Sequence, residues 1–125
     1  MKTVKQVLKQ FGYDSVNELK LEEEVTVENN GYMDLTVQKA GENRVIVGHY
    51  YRQNTDLMAD PEVVFKTRDG EWIPVRYTQS PGIHQHDENG LQSVQKFVEQ
   101  WSHNLRIQGF IDTAKEQTVE DKSMP

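Results

Sequence analysis

The sequence of 125 residues predicts an α+β domain: an antiparallel β-meander of about four strands, a short N-terminal helix region, and a long C-terminal amphipathic helix packed on one face. Three observations predict it. Both ends carry apolar residues at helical spacing, and the middle, from Glu24 to Tyr77, carries short β-branched and aromatic runs parted by turn residues. No helical pattern interrupts those runs, so neighbouring strands are joined by tight turns rather than crossovers.

The opening MKTVKQVLKQFGYD sets Val4, Val7, Leu8 and Phe11 on one helical face, and Gly12 stops the helix. Ser15 to Glu18 has the S-x-x-E form of a capping box, opening a short second helix anchored by Val16 and Leu19. Strands follow at Tyr32 to Lys39, Arg44 to Arg52, Pro61 to Thr67 and Glu71 to Thr78, with a further short one at Glu24 to Val27.

For the last hairpin, a three-residue loop of Arg68, Asp69 and Gly70 places Phe65 opposite Ile73 and Val63 opposite Val75. Val63, Phe65, Ile73, Val75 and Tyr77 then share the core face, and Val64, Lys66, Trp72, Pro74 and Arg76 share the other. A two-residue Asp69-Gly70 turn scrambles these sets and is rejected. Pro74 donates no ladder hydrogen bond, which confines it to a bulge or an edge, and the last strand of a meander is an edge.

Beyond Ser80-Pro81-Gly82 lies a polar stretch from Ile83 to Gly90. Leu91, Val94, Phe97, Val98, Trp101 and Leu105 then mark the long helix, which Gly109 ends, with Phe110 and Ile111 folding back onto the core. Residues 112–125 hold little to bury, so the reading is one domain over 1–111 followed by a disordered tail.

Composition narrows the function. The chain has no cysteine, which removes disulfide and thiolate–metal chemistry, and no basic-then-apolar leader opens it; both point to the cytoplasm. Its apolar runs fall far short of the ~20 residues of a membrane span. A net charge of −6 repels nucleic acid and anionic lipid, so neither is expected as a direct ligand. No phosphate-cradling loop, dinucleotide fingerprint, nucleophile elbow or zinc-protease motif is present, and no cofactor or catalytic group is assigned.

Two segments could carry chemistry. His49, Tyr51, Gln53, Asn54, Asp56, Asp60 and Glu62 place polar aromatics, amides and acids at a strand end and the loop after it, a candidate binding surface to which Trp72 is added. The structural alternative is packed tyrosines with hydroxyls bonded at the rim. Trp72 with Lys66 and Arg76 could also stack single-stranded nucleic acid, against the net charge. His84, His86 and Asp87 form the other cluster, since alternate imidazoles on extended backbone point the same way and can clasp a metal. A third ligand would come from His49, Asp56, Asp60 or Glu62. The alternative there is a solvated loop whose acids sit near a helix N-terminus.

Four blocks, MKTVKQVLKQFG, HYYRQNTDLMADPEVVF, WIPVRYTQ and FVEQWSHNLRIQGF, resemble a bacterial family of domains of unknown function carried by plasmids, phages and conjugative elements, alone or within large polyvalent proteins. His49, Tyr50, Tyr51, Gln53, Asn54, Asp56, Leu57, Met58, Asp60, Pro61 and Glu62 match its first pattern, with Thr55 where the family has glycine. Trp72, Pro74 and Tyr77 match the second, and Trp101, Asn104, Gln108, Gly109 and Phe110 the third. The resemblance implies a task in transfer, replication or the blocking of host defence. The expectation is a non-enzymatic module with a protein partner. Its alternatives are an anti-defence inhibitor such as an anti-CRISPR protein, and a metal-assisted hydrolase or nuclease using His84, His86 and an acid of the 56–62 segment.

Overall fold

A computed structural model describes the chain over residues 1–123, with side chains over 1–119. Helix α1 (Lys2–Gln10) is followed by a 3₁₀ turn at Val16–Glu18, the strands β1 (Glu24–Val27), β2 (Leu35–Gly41), β3 (Arg44–Gln53), β4 (Asp56–Arg68), β5 (Glu71–Gln79) and β6 (Ile83–His86), and the helices α2 (Gln92–Ile107) and α3 (Phe110–Ser123). The six strands pair in sequence order, each antiparallel to the next. The α+β class and the meander are as the sequence predicts, with the short β1 confirmed and β6 added.

Alternation along the strands sends Val25, Val27, Leu35, Val37, Val45, Val47, Val63 and Phe65 to one face, where all are buried. Val4, Val7 and Leu8 of α1, Val94, Val98, Trp101 and Leu105 of α2, and Phe110 and Ala114 of α3 close over them in a single core. Burying one such Val, Leu or Phe contributes roughly 1.5–3 kcal/mol, so this face supplies most of the stability. Gly12, at φ 92°, ends α1 in a left-handed conformation. The Ser15 hydroxyl accepts from the Asn17 amide and caps the 3₁₀ turn, while Glu18 reaches back to the Asp14 amide.

The β4–β5 hairpin corrects the expected register. Arg68 pairs with Glu71 across a two-residue turn in which Asp69 (φ 52°) and Gly70 (φ 82°) are both left-handed, the geometry that matches strand twist. Phe65 therefore lies opposite Pro74, and Lys66 opposite Ile73. A bulge at Val75 then inserts one extra residue, which sets Val63 opposite Tyr77 instead of Val75. Trp72 and Tyr77 thus pack against the core, while Ile73 and Val75 fall outside that cluster, Val75 being buried all the same at 1 % exposed. Pro74 sits at the bulge, as one of its two options required, but β5 is not an edge, because β6 pairs along Arg76 to Gln79.

The expected tail is corrected too. Residues 110–123 form α3, with Ala114 fully buried. Burying alanine costs no rotamer entropy, and Thr113 and Gln117 anchor the helix by hydrogen bonds to Asn29, Thr26 and Glu28, contributions that an apolar count overlooks. Residues 124–125 of that tail lie outside the described residues. Gln117 also shields one end of the sheet: its side chain donates to the Thr26 carbonyl (2.9 Å) and accepts from the Glu28 amide (3.3 Å) along β1. At the other end, all four residues of β6 are exposed.

Candidate functional site

β3 and β4 outrun their neighbours. Ladder pairing of β2 with β3 ends at Gly48 and of β5 with β4 at Glu62; beyond Ala59, whose backbone is still bonded by Ser80, the strands form a two-stranded arm. The arm pairs Tyr51 with Met58, Arg52 with Leu57 and Gln53 with Asp56, closed by Asn54 (φ 56°) and Thr55 (φ 92°). The segment read as a loop is therefore a continuous hairpin. A β-branched residue at positive φ is strained, and Thr55 carries that strain at the tip of the arm. Gln53, Asn54 and Asp56 are exposed at the tip, with Tyr51 36 % and Leu57 62 % accessible.

His49 lies beneath the arm rather than on it, 8 % exposed. Its Nδ1 is 2.9 Å from the Asp34 carbonyl and must donate; its Nε2 accepts from the Trp101 indole N–H at 3.4 Å. The ring packs on Trp101 and Phe110, with centroids at 5.6 and 5.9 Å. A neutral imidazole fits both partners, and His49 pins β3 to α2 and α3. Trp72 also faces inward, against Phe65 (5.5 Å), with the Lys5 ammonium 5.7 Å from its ring. The stacking surface of Trp72 with Lys66 and Arg76 does not form, because the two-residue turn puts Trp72 on the helix side. Asp60 accepts from the Gln79 amide at the base of the arm.

Glu62 belongs to the face opposite the helices. There Gly48, Glu62, Thr78 and His84 form one cross-strand row. The Tyr50 ring lies over Gly48, where a Cβ would come within 2.6 Å of its hydroxyl, and that hydroxyl donates to Glu62 at 2.8 Å. Burial first, and then the Glu62 charge, push the Tyr50 phenol far above its ordinary pKa. His84 and His86 alternate on β6 and line the same shallow depression, with Glu62, Arg76 and Thr78. His86 is engaged: its Nε2 lies 2.9 Å from Glu88, whose other oxygen takes the Arg44 guanidinium. These two hydrogen bonds, Arg44 first, hold the Glu88 carboxyl down at about 2. Asp87 turns away to accept from the Asn89 amide.

Among the described residues, no three His, Asp or Glu side chains come together as metal ligands. The structure thus joins Glu62 with His84 and His86 on one face, places Gln53, Asn54, Asp56 and Tyr51 on the arm, and separates His49 and Trp72 from both. Sequence reasoning placed Arg76 on the open face but missed Arg44, Glu88 and the Tyr50–Glu62 pair beside it. Strict alternation did set Tyr50 and Ile46 apart from His49, but their cross-strand neighbours are visible only once the register is known.

Among the described residues, no helix is long and apolar enough to cross a membrane. Residues 2–111 match a family described as a domain of unknown function, DUF6908. No curated protein and no solved structure matches the chain.

Proposed function

The chain belongs to the DUF6908 family, and on that premise we propose that it is a non-enzymatic protein-interaction module that engages its partner through the β3–β4 arm. One observation carries this reading: a projecting hairpin with Leu57 and Tyr51 accessible at its end and its base fixed in the core by His49. A two-stranded hairpin is marginally stable by itself in water, so a partner that covers its apolar groups and pairs its open edges gains contact area on a preformed element. The mobile-element setting suggested by the resemblance makes a transfer, replication or host-defence protein the partner class.

The test is affinity capture from the native host with the whole chain and with a Tyr51→Ser, Leu57→Asp variant. A defined partner is retained by the first and lost by the second, with melting temperature unchanged. A partner held equally by both removes the arm from the interface. If the partner is a defence protein, expression of the chain restores plating of a phage which that system restricts, and the arm variant does not.

A further inference from the structure

We infer that a second depression on the open sheet face, separate from the arm, binds a small organic carboxylate with an apolar body. The depression holds about 260 Å³. Its floor is apolar: Ile46 and Val64 face each other across β3 and β4, Ala40 adds one side, and the buried Val75 backs the floor from the bulge in β5. The rim is charged, formed by Arg44, Arg76, His86 and Glu88. An apolar floor with a few convergent polar groups is the usual composition of a small-molecule site, and the volume, just below the ~300–1,000 Å³ typical of such sites, suits a fragment-sized ligand.

Charge selects the head group. Two guanidiniums on the rim meet one carboxylate, and Lys66, opposite Arg44 in the ladder, adds a further positive charge. This local excess stands out on a chain of net charge −6. Arg76 is exposed and makes no ion pair among the described residues. Its planar fork is suited to two parallel hydrogen bonds with a carboxylate. Glu88 already shows what the rim accepts, since its carboxylate bridges Arg44 and His86. It is borne on an exposed turn, and so acts as a tethered competitor that a ligand carboxylate can displace. Glu62 lines the neighbouring depression, which Arg76 and His86 also border, and its carboxylate accepts from the Tyr50 hydroxyl.

The experiment is a titration of the whole chain with phenylpropionate, followed in amide proton–nitrogen NMR spectra. Saturable shifts are expected at Ile46, Val64, Val75 and Arg76. The neutral analogue phenylpropionamide should bind at least about tenfold more weakly, because the charge-assisted hydrogen bonds are lost. Arg76→Gln should abolish the shifts without altering spectral dispersion, and Glu88→Gln should tighten binding severalfold by removing the competitor. Equal binding of acid and amide, shifts centred elsewhere, no shift at millimolar ligand, or weaker binding to Glu88→Gln would each overturn the assignment. The Tyr51→Ser, Leu57→Asp variant should bind phenylpropionate normally, so this site and the arm stand or fall separately.

Discussion

Val63 and Val64 are neighbours on β4 with identical side chains, yet Val63 is sealed beneath the helices and Val64 lies half-exposed on the opposite face. The same alternation divides the whole sheet. On the helix side the rows are largely apolar, and His49, the buried imidazole among them, has a partner for each nitrogen. On the open side, threonines, Glu62, arginines and histidines surround a small apolar floor. The difference teaches that stability is concentrated on one face, which leaves the other able to carry side chains chosen for contact with something else.

The sharpest way to break this comparison is to truncate the two valines in turn. Val63→Ala should destabilise by about 2–3 kcal/mol, since it removes two methyl groups from a closed core, whereas Val64→Ala should cost less than about 1 kcal/mol. Urea denaturation reads both. Equal losses would mean that the open face is covered in solution. Gly48→Ala tests the open face itself, because the new methyl must evict the Tyr50 ring and with it the hydrogen bond to Glu62. A loss of about 1–2 kcal/mol is expected, with Tyr50→Phe costing about 1 kcal/mol.

The arm gives an effect of opposite sign. Thr55→Gly should stabilise by about 1 kcal/mol in the same assay, as glycine relieves the positive φ of 92°. The smallest effect concerns Glu88. Its folded pKa lies below the ordinary carboxylate value, so the stability it contributes is present above about 4.5 and is lost as pH falls through about 2. Carbon NMR of the Glu88 carboxyl should show that late titration, and Arg44→Gln should move it back toward the usual range.

Much of the helix-covered face was legible because a single periodicity marks each element: Val4, Val7 and Leu8 on α1, Val94, Val98, Trp101 and Leu105 on α2, and the alternating apolar residues of β2 to β4. Phe97 fitted the same stripe but lies at its margin, 37 % exposed and stacked on Trp101. The open face was harder to read. Whether Val75 and Ile73 point in or out depends on the bulge, which has no local signature beyond the proline beside it. A two-residue Asp-Gly turn conflicts with the alternation only in an unbroken ladder, and the bulge removes the conflict. β6 has too few apolar residues to announce itself, and beyond Phe110 and Ile111 α3 is held by an alanine and two hydrogen-bonding side chains. The arm residues were found as a polar aromatic segment, while the strand pairing that makes them project is a long-range property.

The unequal ends of the sheet limit how copies of this chain could associate. A strand joining the sheet at its ends must arrive at β6, since Gln117 already occupies backbone positions along β1. A second molecule docking there, β6 against β6, would leave the shielded strand outermost on both sides. Such growth terminates at a closed pair rather than running on into a filament.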